Sequence, residues 1–427
     1  MHGSNRYMTS TSNRTTALNE ICFYITYSLL IITRLLSYLT DGYFSGYSTM
    51  SLLSLAIFIV LNLLIRKNVL CKANLSFLVD IFIWIFWASI SSILSSASQY
   101  IPGNILTYVV FIMNIILCTR LLAFYKSDEM FFRITTVIVG SFLLWRYIAD
   151  FDGLTFIKNF SQLFVGGANF ERYRNAYGLY HPNATGNLCL CLILLSIYQY
   201  LFVANKKYKI YRLYVCACVI VALIMLFSSG SRASLTSLML FVVLFLLFGI
   251  WNRSGVIWRV LQILLLVSSI VIVIYSIGIS NILNETNRLY NFTHNLPALT
   301  VKHRWIMGVG LVESGFFASH NEVFNTIYVD NFYLYVLMTT GVVGLIWFFL
   351  TLAIFIKSLL KALKKSSRSY TYVCALIVVL LYGAFFETNL LYPQFISSLI
   401  YWVLLMYSVN VYAEHLNEKA VKAYLRN

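Results

Sequence analysis

Charged residues are scarce in this chain of 427 residues, where they make up 11% of the sequence against 60% for apolar residues. Soluble proteins carry about 25% charged residues, which cover the surface that faces water. With so few charges most of the surface must face lipid, so a soluble fold is excluded. The composition therefore predicts a polytopic integral membrane protein.

Acidic residues are the rarer charged class, with 15 Asp and Glu against 31 Lys and Arg. In a soluble protein this excess would indicate nucleic acid. Here the basic residues form short clusters between apolar runs, which is the arrangement that orients helices in a membrane. A single acid, Asp80, falls in the interior of an apolar run, and Glu20 lies at the edge of the first one, whereas proton-coupled transport predicts several interior acids. We expect no nucleic-acid partner.

Cysteine is missing from the segments that we place outside the membrane, which excludes an external disulfide framework. Two Cys-x-Cys pairs, at 189–191 and 216–218, point their thiols to different sides of a helix. We interpret them as packing residues rather than metal ligands. We expect no cofactor.

Twelve apolar runs are long enough to span a bilayer. They occupy about 18–40, 47–65, 75–96, 105–125, 134–149, 183–204, 213–229, 233–250, 260–282, 332–356, 371–386 and 394–412. We predict an all-α membrane protein: a polar tail at 1–17, one twelve-helix domain at 18–412 and a basic tail at 413–427. No period of 20–50 residues occurs, which argues against a solenoid.

Orientation follows from the distribution of Lys and Arg. With both termini in the cytoplasm, 21 of the 31 fall in cytoplasmic segments and three within spans. The remaining seven fall in external loops: Lys158, Arg172, Arg174, Arg232, Arg288, Lys302 and Arg304. This threefold bias predicts cytoplasmic termini.

Two external segments are long, at roughly 150–182 and 283–331. Long loops are usually functional or disordered. These contain aromatic residues, glycine and histidine rather than low-complexity polar sequence, which favours function. The second lies between predicted helices nine and ten.

The segment 169–186 brings Arg172, Arg174 and His181 to the start of predicted helix six. Asn183 is placed as the N-cap of that helix, with free backbone N–H groups facing outward. The functional interpretation is an anion-binding helix end beside two arginines. The alternative is an ordinary cap with loop charges.

Predicted helices seven and eight are joined by a short Ser- and Gly-rich turn that contains Arg232. An arginine near the bilayer is costly unless it has a partner or reaches water. We expect Arg232 to bind a substrate phosphate. The alternative is that it reaches lipid phosphates at the outer leaflet.

The long external loop carries Arg304, His303, His320, Asp330 and Asn331. Guanidinium groups suit phosphate oxygens because they form bidentate, permanently charged hydrogen bonds. Asp330 is either the N-cap of the next helix or a carboxylate that accepts a proton. His320 and His303 are alternative bases. Asp150 and Asp152 have a spacing that can hold a divalent cation, but two residues do not predict a metal site.

Several short motifs resemble those of the O-antigen ligase and polysaccharide repeat-unit polymerase family. They are the Ser-Gly-Ser-Arg-Ala-Ser turn at 229–234, Gly308-Val-Gly310, Asp330-Asn-Phe-Tyr-Leu334 and Gly341-Val-Val-Gly344-Leu345. The motif resemblance covers about 170–350, and the twelve-helix layout extends it over nearly the whole chain.

The resemblance implies a glycosyltransferase in the bacterial cytoplasmic membrane, with its active site on the extracytoplasmic face. Its partners would be an undecaprenyl-diphosphate-linked oligosaccharide donor and acceptor and membrane lipid, with a flippase and a chain-length regulator as further candidates. The family's ligases have a His-Asn pair where this chain has Asp330-Asn331, so a polymerase of capsule, exopolysaccharide or O-antigen units is favoured over a ligase.

We assign roles on this basis. Asp330 is the first candidate base and His320 the second; Arg232, Arg304, Arg172 and Arg174 would bind the diphosphate; His181, His303 and Asn331 would support them. A flippase of lipid-linked oligosaccharides is the main alternative, but it should place its cations in a central cavity between two similar halves. A non-catalytic scaffold does not explain seven external basic residues.

Overall fold

A computed structural model describes fourteen stretches of the chain. They are residues 5–39, 46–65, 70–94, 101–151, 154–158, 174–203, 209–251, 292–293, 295–297, 299–300, 303–311, 331–363, 367–393 and 395–424. Within these stretches the chain is predominantly helical, without β-strands, and the all-α prediction is confirmed.

Eleven long helices occur in the described part of the chain. They are α1 (Asn5–Leu36), α2 (Gly46–Leu63), α3 (Lys72–Ile93), α4 (Ile101–Tyr125), α5 (Asp128–Ala149), α6 (Pro182–Tyr198), α7 (Lys209–Ser228), α8 (Arg232–Trp251), α9 (Phe332–Leu363), α10 (Ser367–Ala384) and α11 (Ile396–Tyr424). A π-helical turn, Gln199–Val203, continues α6. The predicted span at 260–282 lies outside the described residues.

Seven described helices are long and apolar enough to cross a membrane, and four shorter apolar stretches accompany them in α2, α8, α10 and α11. Large apolar side chains cover the outside of the bundle; Leu63 and Ile148, for example, are each 76% exposed. In water such a surface would cause aggregation, whereas in a bilayer it contacts lipid. The chain is a multi-pass membrane protein.

Polar contacts between helix ends define the two ends of the bundle. At the end that we call the upper end, α1, α5, α7 and α10 finish, and α6, α8, α9 and α11 begin. Asn175 N–H donates to the Ser228 carbonyl (3.0 Å), Tyr180 N–H to the Tyr38 carbonyl (2.9 Å) and the Asn331 amide to the Phe385 carbonyl (2.9 Å).

At the opposite, lower end, buried amides connect α3 to α11. The Asn74 side chain donates to the Met406 carbonyl (2.9 Å) and to the Asn410 side-chain oxygen (3.0 Å), which also accepts from Cys71 N–H (2.9 Å). In an apolar interior these groups must be paired, so they fix the position of α3 against α11.

Helix α9 is broken at Gly341, which has φ 67° and ψ −172°. The break removes helical partners from five backbone groups, and other segments replace them. Val309 N–H, Gly310 N–H and the Trp87 indole donate to the carbonyls of residues 338, 339 and 340 (2.8, 2.8 and 3.0 Å), and the amides of residues 342 and 343 donate to the carbonyls of residues 305 and 306 (2.8 and 3.4 Å). Segment 303–311 is thereby fixed against α9.

Candidate functional site

Helix α6 begins at Pro182, with His181 as its N-cap. Proline is favoured at this position because its missing N–H needs no partner and its φ is already helical. His181 Nδ1 accepts from Asn183 N–H (3.1 Å), and the His181 carbonyl accepts from the amides of Ala184 (3.0 Å) and Thr185 (3.3 Å). The prediction that Asn183 is the N-cap is therefore wrong. The first backbone amides of α6 are already bonded. An anion at this helix end would have to be bound by side chains.

The Asn183 side chain connects a cation to an anion. Its oxygen accepts from the Arg174 guanidinium, and its amide donates to the Glu387 carboxylate. Glu387 lies in the connection between α10 and α11, where Glu387 N–H donates to the Gly383 carbonyl (3.0 Å). This contact, the Arg174–Asn183–Glu387 bridge, joins the segment before α6 to the segment after α10.

The turn between α7 and α8 lies directly beside α6. Gly230 adopts φ 57°, which favours glycine, and Arg232 is the first residue of α8. A Cβ on Gly186 would lie 2.4 Å from the Ser231 Cβ, so α6 can approach this closely only with glycine there. Arg232 is half-buried. The predicted phosphate ligands Arg232 and Arg174 thus both lie next to the first turns of α6.

A buried arginine supports this arrangement from α1. The structure ends α1 at Leu36 rather than at residue 40, so Arg34 is in its last turn, where it is 6% exposed. Its guanidinium donates to the Pro393 carbonyl (2.8 Å) and lies over the Tyr38 ring, 5.8 Å from the centroid. Arg34 therefore holds the connection between α10 and α11 in place.

Tyr180 lies among these charges, just outside the spans. Burial raises the pKa of its hydroxyl well above the usual value; Tyr38 and Glu387 add to this shift and Arg34 opposes it. A tyrosine hydroxyl is already protonated at neutral pH, and this shift keeps it a hydrogen-bond donor under more alkaline conditions as well.

Arg146 fixes the segment that leads to α6. Its Nε donates to the Tyr177 carbonyl (2.8 Å), and the guanidinium pairs with Asp150. Gly178, with φ 67°, lies beside this guanidinium. A Cβ at residue 178 would occupy the space that the Arg146 side chain fills, so the contact requires glycine there. Asp150 is thus an arginine partner, and Asp152 lies outside the described residues.

Arg304 lies at a different place, the upper end of α3. Its guanidinium donates to the Leu94 carbonyl, and the neighbouring His303 is exposed with φ 52°. A guanidinium has five N–H donors, so this bond leaves others for a ligand. No contact in the described residues joins Arg304 to the Arg174–Asn183–Glu387 bridge.

The remaining predicted residues divide into one that the structure describes and three that it does not. Asn331 caps α9, because its side-chain oxygen accepts from Leu334 N–H (2.9 Å) while its amide donates to the Phe385 carbonyl (2.9 Å). Asp330, His320 and Arg172 lie outside the described residues.

Sequence reasoning missed Glu387, and it identified Arg34 only as an arginine within the first predicted span. Glu387 could have been found as the one acid in the short connection between two apolar runs, which the predicted topology already placed outside.

Among the described residues no three His, Cys, Asp or Glu side chains come together as a metal site. No family model and no curated protein matches the chain.

Proposed function

We propose that the protein is a glycosyltransferase of the bacterial cytoplasmic membrane that polymerises undecaprenyl-diphosphate-linked oligosaccharide units on the extracytoplasmic face. The observation that carries the proposal is the convergence of Arg174, Arg232 and Arg34 beside the start of α6, at one end of a lipid-facing bundle. The motif resemblance supports the same reaction.

The proposed topology has twelve helices with both termini in the cytoplasm. Helix α8 starts at the upper end and runs away from it, whereas α9 starts at the upper end, so a crossing between Trp251 and Asn331 would restore the alternation. The apolar run at 260–282 is our candidate for that crossing. The upper end would then be extracytoplasmic, in agreement with the basic residues assigned to the cytoplasm.

The proposed reaction joins two lipid-linked glycans. A hydroxyl oxygen of the acceptor forms a bond to the anomeric carbon of the donor, the bond from that carbon to the diphosphate breaks, and the diphosphate leaves with the electron pair. Cationic donors aimed at the departing charge lower the barrier. Arg232 and Arg174, beside the start of α6, are the first candidates, with Arg304 and Arg172 as further ones.

The hydroxyl proton needs an acceptor. Asp330 directly precedes the Asn331 cap of α9 and is our first candidate; His320 is the second. Asn331 and His181 would act by holding the starts of α9 and α6 in place. His303 would lie at the outer surface beside Arg304.

The experiment that tests the proposal uses a strain from which this gene is deleted. Lipid-linked oligosaccharides and surface polysaccharide are extracted and sized, and the side of the membrane that exposes the lipid-linked units is determined. Single repeat units displayed outside, without long polymer, are expected. Units trapped on the inner face would indicate a flippase instead, and long polymer left on the lipid carrier would indicate a ligase.

Complementation tests the arginines. Arg232→Ala is expected to reduce polymer yield about 10²-fold, the usual effect of removing one donor to a developing charge. Lys209→Ala, an exposed change at the lower end, is the matched control and should restore full-length polymer. Normal polymer with Arg232→Ala would remove Arg232 from the site.

A further inference from the structure

Asn187 is a buried amide without a hydrogen-bond partner. It lies one turn into the start of α6 and is 3% exposed, and neither its side-chain oxygen nor its side-chain nitrogen is bonded to any described residue. Leaving an amide in this state is costly, and natural proteins rarely do so without a reason. A leucine of similar size would avoid the cost.

The helical register places Asn187 directly beneath the Arg174–Asn183–Glu387 bridge. Residues four apart lie on the same face of a helix, so Asn187 is one turn below Asn183. Asn183 contacts Glu387 on that face, and the adjacent Gly186 contacts Ser231 at the start of α8. Asn187 therefore lies in the space between the start of α8 and the connection from α10 to α11.

A second buried amide oxygen without a partner occurs close by, about one helical turn nearer the upper end. The Asn389 side-chain oxygen is buried without a partner among the described residues. A Cβ on Gly383 would lie 3.9 Å from both polar atoms of Asn389 and 3.7 Å from the Ser237 hydroxyl, so these groups surround one small space.

The depth follows from a hydrogen bond between α10 and α6. The Tyr372 hydroxyl donates to the Leu194 carbonyl (2.8 Å), and α10 runs opposite to α6. Gly383 is eleven residues after Tyr372, and Asn183 is eleven residues before Leu194. Because each helix rises about 1.5 Å per residue, Gly383 is level with Asn183, and Asn187 lies one turn below both, a separation that the hydroxyl groups of one glycan can bridge.

The chemistry of this pocket differs from that of the arginines around it. An amide offers both a donor and an acceptor, and a serine hydroxyl does the same. Phosphate oxygens only accept, so an amide oxygen facing them would be repelled. Adjacent hydroxyl groups of a sugar both donate and accept, and they match two amides and a hydroxyl.

We propose that Asn187, Asn389 and Ser237 form a neutral pocket that binds hydroxyl groups of the glycan of the lipid-linked substrate. The inference rests on the proposed function and divides the site in two: the arginines bind the diphosphate, and the amides bind the sugar. The amides would then be unsatisfied because their partner is the substrate.

The test compares two ligands on the purified full-length protein. One is the lipid-linked repeat unit extracted from the deletion strain, and the other is undecaprenyl diphosphate without sugar. Asn187→Leu is expected to weaken binding of the repeat unit about tenfold or more and leave binding of undecaprenyl diphosphate unchanged. Its melting temperature is expected to rise, because an unsatisfied buried amide is removed.

Asn74→Leu is the matched control. The Asn74 amide is buried at the lower end and donates to Met406 and Asn410, so its replacement should lower the melting temperature without changing the ratio of the two affinities.

The outcomes separate the two proposals. If the wild-type protein polymerises repeat units and Asn187→Leu binds both ligands as tightly as wild type, the pocket is overturned and the polymerase stands; equal weakening of both ligands, or a lower melting temperature, also overturns it. If the wild-type protein neither polymerises the units nor binds either ligand, both proposals are overturned.

Discussion

At the residue scale, the Arg174–Asn183–Glu387 bridge shows how one amide can serve two charged neighbours. The Asn183 side-chain oxygen accepts a hydrogen bond from the Arg174 cation, and its nitrogen donates one to the Glu387 anion. Hydrogen bonds to charged groups are stronger than neutral ones. The bridge therefore fixes two chain segments, one before α6 and one after α10, around the start of α6.

The bridge gives a prediction for Glu387. Glutamine at this position keeps the oxygen that accepts from Asn183, whereas alanine leaves the amide without a partner. We expect Glu387→Ala to lower the free energy of unfolding by about 1–2 kcal/mol and Glu387→Gln to lower it by less. Thermal unfolding in detergent measures both.

The same two variants also show whether the negative charge of Glu387 stabilises the protein. Equal destabilisation by both changes would show that the carboxylate charge, rather than the hydrogen bond, holds the connection. Glu387→Asp is the companion variant, since it keeps the charge and shortens the side chain.

Some residue positions could be predicted from the sequence and others could not. Arg232 was expected within a tight turn, and the structure places it directly after that turn, as the first residue of α8; its phosphate-binding role stays a prediction. The bonds of Arg304 to the end of α3 and of Asn331 to Phe385 join positions 210 and 54 residues apart in the chain. Local sequence does not encode such pairings, because they depend on how the helices pack.

At the element scale, the break in α9 explains why three glycines occur near one another in space. Gly308, Gly310 and Gly341 all have positive φ, and a Cβ on Gly308 would lie 2.5 Å from the Gly341 nitrogen. Side chains at 308 and 341 would clash where segment 303–311 meets α9, and a side chain at 310 would clash with Ser92 of α3, so the segment can bond the free backbone groups of α9 only with glycine at these positions.

The break predicts opposite effects for two Gly→Ala substitutions. At Gly341 the backbone conformation is nearly exclusive to glycine, and a Cβ would lie 2.3 Å from the Ile306 carbonyl oxygen. We expect Gly341→Ala to cost about 3 kcal/mol or more, or to abolish folding. At the end of α10, Gly383 has helical geometry and no atom closer than 3.7 Å, so Gly383→Ala should stabilise by about 0.5–1 kcal/mol.

Detergent melting temperatures and membrane expression levels check both changes. A Gly341→Ala protein as stable as wild type would show that α9 can close into a regular helix and that segment 303–311 is not required to complete it.

Helix positions could largely be read from hydropathy, but their ends could not. Helix α5 begins at Asp128, six residues before the predicted start. The prediction began too late because the first turns contain the charged residues Asp128, Glu129 and Arg133, which an apolar run excludes. In the folded chain Arg133 pairs with Glu129 one turn away, and acidic residues are favourable in the first turn of a helix.

At the scale of the whole molecule, the same bundle must present lipid-facing and water-facing surfaces. The flanks expose large apolar side chains, while the upper end collects Arg34, Arg174 and Glu387. Arg174 is exposed at this end and can reach water and a charged ligand, whereas the flanks can hold a lipid chain. The lipid-linked substrate that we propose would need both kinds of surface.

The last prediction concerns the side of the membrane that the upper end of the bundle faces. Lys158 lies between α5 and α6 at the upper end, and Lys209 begins α7 at the lower end; both are exposed. The positive-inside bias predicts that the upper end faces outward. The matched variants Lys158→Cys and Lys209→Cys therefore differ only in the side of the membrane on which the new thiol lies.

A membrane-impermeant maleimide distinguishes the two sides. In intact cells Lys158→Cys should be labelled above the wild-type background, and Lys209→Cys should be labelled only after permeabilisation. The background should be low, because five of the eight native thiols are buried, Cys71 is half-buried, and the two exposed ones, Cys22 and Cys216, lie on helix flanks that face lipid, which a water-soluble reagent does not enter. The reverse pattern would place Arg174 and Arg232 in the cytoplasm, where an extracytoplasmic polymerase cannot use them.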